Sequence, residues 1–214
     1  SMNSGTGQIT GDNNIAIGVS AGDALTSGFR NVFVGQNAGG AAQGADFNTA
    51  VGDNALAANT NGQYNAVFGL NAGDVTTAGT RLTLIGTAAG RGNITADGIG
   101  TVAVGYAAYN VGTSGIGNTV VGYEALDAED DGDYNTAIGY QALTSQTGIS
   151  GTVANTALGY HAGEQVTSGR FSTFIGAFAG DEHQTGHHVT AVGYSALSAQ
   201  NSDKTGTTAI GSQA

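Results

Sequence analysis

Apolar and polar residues alternate along this chain in short bursts, and the bursts recur. The stretch "NTAIGYQAL" at 135–143 is preceded by "NTVVGYEAL" at 118–126 and followed by "NTALGYHAG" at 155–163. Aligning on the glycine after the aliphatic residue gives twelve copies: Gly18, Gly35, Gly52, Gly69, Gly86, Gly105, Gly122, Gly139, Gly159, Gly176, Gly193 and Gly211. Successive spacings are 17, 17, 17, 17, 19, 17, 17, 20, 17, 17 and 18. The residue before the glycine is always aliphatic or Phe, and three residues before it stands Thr, Val, Ile or Ala. Apolar and β-branched residues at alternate positions predict a short strand, whose side chains point in turn to either face. The glycine predicts a positive φ or a close backbone approach where that strand bends.

Other columns fill in the coil. Every copy carries Ala three residues after the glycine, from Ala21 and Ala38 to Ala196 and Ala214, so space there is small and constant. Asn recurs four residues before it: Asn14, Asn31, Asn48, Asn65, Asn118, Asn135 and Asn155. A second glycine often follows ten residues on, at Gly28, Gly62, Gly79, Gly115, Gly132, Gly169 and Gly186, within polar segments that mark a second bend. Strand, bend, short segment, bend, repeated at one period, is a parallel β-solenoid; nothing recurs at helical spacing. Residues 1–13 read as an expression scar ("SM") with a lead-in, and 14–214 as one repetitive domain of about twelve coils. Coils stacked about 4.8 Å apart would form a rod roughly 55 Å long, with Ala, aliphatic and Asn columns and amides bonding along the stack. So thin a coil, with few dependably apolar positions, is expected to bury little of its own surface and to gather several chains around a shared axis. Three chains are the simplest closed arrangement for a rod.

Composition narrows the function. The chain has 38 Gly, no Pro, no Cys, no Trp and 10% charged residues, which is neither collagen-like nor that of a disordered chain. A net charge of −11 with five Lys and Arg argues against nucleic acid and against anionic membrane surfaces. No apolar run is long enough to span a bilayer as a helix, and the lack of cysteine excludes a disulfide framework.

The motifs "NTAIGYQAL", "NTALGYHAG" and "NAVFGLNAG" resemble the head repeats of YadA-type trimeric autotransporter adhesins, and still more the related repeats of bacteriophage tail-fibre surface proteins. The resemblance covers 14–214. It implies a homotrimeric, left-handed parallel β-roll on a cell surface (outer-membrane anchored in the full protein) or on a virion tail. Such a module would serve as adhesive head or spacer toward a host-surface protein or glycan receptor. The repeat here is longer than in those adhesin heads, and neck, stalk and anchor are absent, as in an excised fragment. No binding motif transfers with the resemblance.

Chemistry-bearing residues are sparse. Asp127, Glu129, Asp130, Asp131 and Asp133 crowd one loop, which suggests calcium at Asp127, Asp131 and Asp133, though the full calcium-loop pattern is missing and a solvated acidic loop is expected. His183, His187 and His188 form a cluster without zinc spacing, expected to be exposed and without a fixed role; His161 reads as a surface residue. No Ser, His and Asp set stands out, no Cys nucleophile exists, and "GIG" at 98–100 lacks what a phosphate loop needs. Neither an enzyme nor a cofactor is expected. Tyr106, Tyr123, Tyr140, Tyr160 and Tyr194 follow the repeat glycine and read either as a glycan-stacking or protein-contact strip or as corner packing. Thr stands at 49, 83, 119, 136, 156, 173, 190 and 208, once per coil. An inward or interface role is expected for it; the alternative is a monomeric ice- or surface-binding solenoid using a stacked Thr face. The insertions near Ile94–Gly100 and Gly148–Ala154 are the expected variable contacts.

Overall fold

The structure is a computed structural model, describing residues 11–95, 98–148, 150–198 and 204–214. Each repeat contributes one three-residue strand. In chain order these are β1 (Ile15–Ile17), β2 (Val32–Val34), β3 (Thr49–Val51), β4 (Ala66–Phe68), β5 (Thr83–Ile85), β6 (Val102–Val104) and β7 (Thr119–Val121). There follow β8 (Gly132–Asp133), β9 (Thr136–Ile138), β10 (Gly151–Thr152), β11 (Thr156–Leu158), β12 (Thr173–Ile175), β13 (Thr190–Val192) and β14 (Thr208–Ile210). All except β8 and β10 form one parallel sheet of 12 strands, in repeat register throughout, as in Thr119↔Thr136 and Thr156↔Thr173. Strands β8 and β10 pair with each other on the return half. The described residues contain no helix. The fold is therefore the parallel β-solenoid that the period implies.

The repeat glycine is what lets the coils close up. Its φ lies between +126° and +146° in all twelve copies. A Cβ on Gly122 would stand 2.1 Å from the carbonyl oxygen of Gly139, and the same contact recurs up the column. The second glycine acts differently. Gly28 and Gly62 are buried and have no positive φ, but a Cβ there would lie 2.2 Å from a carbonyl oxygen of the next coil. Room, rather than dihedral freedom, selects glycine at that bend.

Within each strand the middle residue is the buried one: Phe33, Ala50, Val67, Leu84, Ala103, Val120, Ala137, Ala157, Phe174 and Ala191 are at 0% exposure. Its partner across the coil is the residue six later. Where the strand carries Phe33, Leu84 or Phe174, that partner is Gly39, Gly90 or Gly180, whose added Cβ would meet the large side chain at 2.5, 2.5 and 2.2 Å. Where the strand carries Ala50, Ala103, Ala137 or Ala191, the partner is Leu56, Tyr109, Leu143 or Leu197, all in the core. In these coils a large residue on one side faces a small one on the other. Where both are small, at Ala157 with Gly163, the large side chains Leu143 and Phe174 of the neighbouring coils reach into the space, at 2.9 and 3.0 Å from an added Cβ. With the Ala column (Ala21, Ala38, Ala55, Ala72 and onward) this makes one continuous core within a single chain, where the composition pointed to little burial without partners.

The Asn column lines the same interior. Asn31, Asn48, Asn118, Asn135 and Asn155 are at 0% exposure. Their amides bond chiefly to backbone rather than to one another. Asn48 Nδ2 donates to the Gly62 carbonyl at 2.8 Å, and its Oδ1 accepts the Asn65 N–H at 3.0 Å. Amide-to-amide bonds accompany these at Asn31 to Asn14 (3.0 Å) and Asn48 to Asn31 (3.2 Å). Each Asn ties its own coil to both neighbours, which satisfies polar backbone that would otherwise be buried unpaired.

Alternation then places the aliphatic and Thr columns outside. The Thr residues lie on the outward side of the strands, which overturns the inward alternative for them. The two insertions are less free than expected. Ile94 and Val153 are buried, and a bridge pairs Thr80 with Ile99. Ala96, Asp97 and Ile149 lie outside the described residues.

Candidate interaction surface

Two columns cover the outer side of the 12-stranded sheet. The first runs Ile15, Val32, Thr49, Ala66, Thr83, Val102, Thr119, Thr136, Thr156, Thr173, Thr190 and Thr208; the second runs Ile17, Val34, Val51, Phe68, Ile85, Val104, Val121, Ile138, Leu158, Ile175, Val192 and Ile210. Neither holds a charged residue, on a chain whose net charge is −11. Ile85, Leu158 and Ile175 are exposed, and the end positions Ile17 and Ile210 reach 60% and 70%. Strands spaced about 4.8 Å apart and side chains about 7 Å apart along each strand make this a regular two-dimensional array some 50 Å long. One column is aliphatic or Phe throughout and the other is mostly Thr, so the face is uncharged and half apolar, which makes it a candidate interaction surface.

Beside it runs the tyrosine column. Ring centroids are 5.1 Å apart for Tyr106–Tyr123, 5.0 Å for Tyr123–Tyr140 and 5.4 Å for Tyr140–Tyr160, with interplanar angles of 15°, 5° and 24°. Phe178 and Tyr194 continue it edge to face. The rings are half-exposed yet cover one another's faces, so the column shows ring edges and phenol hydroxyls to solvent. A sugar stacks on a ring face, and only the faces at the ends of the run are uncovered. His161, read as a surface residue, is largely enclosed here: it pairs with Glu164 and stacks on Phe178 at 5.7 Å.

On the return half a second aromatic column forms around residues five before the glycine. Phe29, Phe47 and Tyr64 are in ring contact, and the guanidinium groups of Arg30 and Arg81 lie 5.5 Å over Phe47 and 5.7 Å over Tyr64. Every residue at that position is left-handed, including Arg30, Phe47, Tyr64, Arg81, Tyr134 and Phe171 at φ between +56° and +61°. So is every residue two after the glycine, from Ser20 and Asn37 to Gln213. Inter-coil hydrogen bonds hold these conformations, as when the Glu124 N–H donates to the Tyr106 carbonyl at 2.9 Å. The signal available in the sequence was the recurrence of Asn37, Asn54 and Asn71 at this slot, since Asn tolerates that region best after Gly.

The acidic loop is taken apart by the coil. Asp127 accepts from the Thr144 hydroxyl at 2.7 Å, Asp131 from the Thr113 hydroxyl at 3.1 Å, and Asp133 from the Ile116 N–H at 2.8 Å. These carboxylates serve three different neighbours, and no group of three metal-ligating side chains forms among the described residues. Glu129 is fully buried, which corrects the expectation of a wholly solvated loop. Its carboxylate accepts from Gln146 Nε2 at 2.6 Å and from the Gly132 N–H at 2.8 Å, and Gln146 in turn accepts from Asn155 at 2.8 Å. Burial raises the pKa of Glu129 above the ordinary carboxylate value, against these hydrogen bonds. Asp127 and Asp181 are raised for the same first reason. Tyr109 beside this network is held protonated by burial.

The histidines also separate. His183 is completely buried, its Nε2 against the Gly186 carbonyl at 3.1 Å and its Nδ1 unpartnered, contrary to an exposed cluster. His187 is half-buried and His188 exposed. A concavity at Leu197, Thr208, Ala209 and Ala214 is the open end of the last coil. No helix of the described residues is long and apolar enough to cross a membrane.

Comparison with known proteins returns nothing for this chain: no family model, no curated protein and no solved structure matches.

Proposed function

We propose that the protein is a surface-exposed structural and adhesive module, an adhesin head or tail-fibre shaft that makes or spaces attachment to a host or other surface. In this reading it works as an extracellular homotrimer, on a bacterial surface or a phage tail, toward a host-surface protein or glycan, and without nucleic acid or catalysis. The observation that carries it is the outer face of the sheet, two unbroken columns free of charge on a chain of net charge −11. Copies arranged side by side around an axis along the rod would set each column against its own equivalent, coil by coil. The resemblance of the repeats to YadA-type heads and tail-fibre surface proteins supports the same reading.

Light scattering after size exclusion tests it. The expected mass is three times the 21.0 kDa of the chain. A doubly substituted chain, Val121→Glu with Ile138→Glu, should run at the single-chain mass with its β-rich circular dichroism intact, since both residues point out of the coil. Twice the chain mass would keep the face and replace the three-fold with a two-fold. A wild-type mass of 21.0 kDa across the concentration range would overturn association.

One observation favours a second reading, a monomeric ice- or surface-binding solenoid. The threonines do face outward, and in the six strands β7, β9, β11, β12, β13 and β14 they form an unbroken rank beside the aliphatic column. Thermal hysteresis and ice shaping by the monomeric protein, lost in Thr136→Lys with Thr156→Lys, would establish it. Their absence would remove it.

A further inference from the structure

The return half of the last coils contains a cleft of ≈ 620 Å³, lined by Ser168, Arg170, Phe171, His187, His188 and Thr205, with Gly148 at its edge. We infer that this cleft is a binding site for a carboxylate-bearing sugar, such as a uronic acid residue. It lies on the return half of the coil, so the inference goes beyond the association proposed for the outer sheet face.

Hydrogen-bond donors converge in this cleft. The Arg170 N–H donates to His187 Nδ1 at 3.1 Å, which places the ring proton of neutral His187 on Nε2. Arg170 donates from Nη1 to the Thr152 carbonyl at 3.4 Å, and among the described residues its other guanidinium nitrogens have no hydrogen-bond partner. Ser168 and Thr205 add two exposed hydroxyls. Among the described residues no carboxylate side chain lines the cleft. At its edge the Asp130 carboxylate accepts the N–H groups of Gly148 at 3.3 Å and Asp131 at 3.1 Å. Converging donors favour an anion, and one guanidinium matches a singly charged carboxylate by its two-pronged geometry. A phosphate monoester would keep a net negative charge in the field of an acidic protein.

The aromatic wall argues for a sugar as the body of that anion. Phe171 and His188 are stacked at 5.3 Å and 11°, one coil apart. The position in the preceding coil is Ala154, so the other face of Phe171 has no ring over it, unlike the faces inside the tyrosine column. The backbone under the wall is fixed, with the Phe171 N–H on the Val153 carbonyl at 2.8 Å and the His188 N–H on the Arg170 carbonyl at 3.0 Å. A flat apolar face, a guanidinium fork and hydroxyls at the rim suit a pyranose carrying a carboxylate.

The test is a titration of the whole chain with methyl glucuronide, followed by saturation-transfer NMR and by shifts of the His187 and His188 ring protons. Methyl glucoside, acetate and N-acetylglutamate amide serve as comparisons. The expected result is saturable millimolar binding of the glucuronide, weaker by about tenfold for the glucoside and for acetate. Arg170→Gln should weaken it by about tenfold, because a neutral amide replaces the charged fork. Phe171→Asn removes the apolar wall with a residue that accepts φ +56°, and should also weaken binding while the thermal midpoint stays near that of the wild type. Absence of saturable glucuronide binding would overturn the inference, as would binding indifferent to both substitutions. Equal binding of N-acetylglutamate amide would overturn the sugar and make this a site for acidic peptide. Any of these results leaves the solution mass, and so the association reading, unaffected.

Discussion

Glycine and asparagine do most of the residue-level work, for different reasons. At Gly122, with φ +143°, a Cβ would stand 2.1 Å from one backbone atom and 2.6 Å from another, neither able to move without shifting a whole coil. At Gly211, with φ +129°, the nearest atom to an added Cβ is 3.8 Å away. Gly122→Ala should therefore lower stability by about 3 kcal/mol or more beyond the dihedral penalty, while Gly211→Ala should show only that penalty, about 1–3 kcal/mol. Urea unfolding of the two variants side by side separates clash from strain. The Asn37–Asn54–Asn71 ladder, with rungs of 3.0 and 3.1 Å, ends at Ala88, which keeps the same left-handed backbone at φ +58° without a side chain suited to it. Ala88→Asn adds a rung and relieves strain, and should raise stability by about 1 kcal/mol in the same measurement.

In the coils of Phe33, Ala50, Leu84, Ala103, Ala137, Phe174 and Ala191 the decisive quantity is a volume shared between the strand's middle residue and the residue six later. Phe33→Ala opens a cavity and should cost about 3–4 kcal/mol. Gly39→Leu alone drives a side chain into Phe33, whose ring lies 2.5 Å from where its Cβ would be. Together they reproduce the Ala50 and Leu56 pairing one coil on, so the double variant should lose about 2 kcal/mol less than the two single losses added. A coupling near zero would mean the coils pack independently of this pairing. Outward positions obey a weaker rule. Substituting Ile138 by Thr should change single-chain stability by about 0.5 kcal/mol or less, because that side chain faces away from the core.

For the molecule as a whole, acid carboxylates dominate the electrostatics. Asp127, Glu129 and Asp181 are shifted upward, first by burial, so the folded chain holds protons there more tightly than the unfolded chain does. For a raised carboxylate pKa, the stabilising proton is fully present below the unfolded value and is lost as pH rises through the folded one. Repulsion among 16 acidic groups against five basic ones has the same sign. The thermal midpoint should rise as pH falls from 8 to about 5, and added salt should raise it more at pH 8 than at pH 5. Scanning calorimetry at the two pH values checks both. A midpoint that falls over this range would overturn the prediction.

Much of this architecture can be read before any coordinates exist. A 17-residue period with a constant glycine, a constant alanine and recurring asparagine leaves a parallel, in-register coil as the one arrangement that stacks like on like. The repeat glycines are all where the spacing puts them, because a backbone clash repeated in every coil leaves the same mark in every copy. Period-two alternation, however, is symmetric between faces, so it could not say whether Ala137 or Ile138 points inward. The direction in which the chain closes its coil settles that, and with it the outward Thr. The strand's middle residue varies from Ala to Phe, so its column looked unremarkable until the partner six residues on was placed across from it. Burial of Glu129 and His183, left-handed Phe171 and Tyr134, and the meeting of Arg170 with His187 all depend on contacts made one coil away. Such contacts carry no local sequence signature, because the energy that stabilises them belongs to the neighbouring turn.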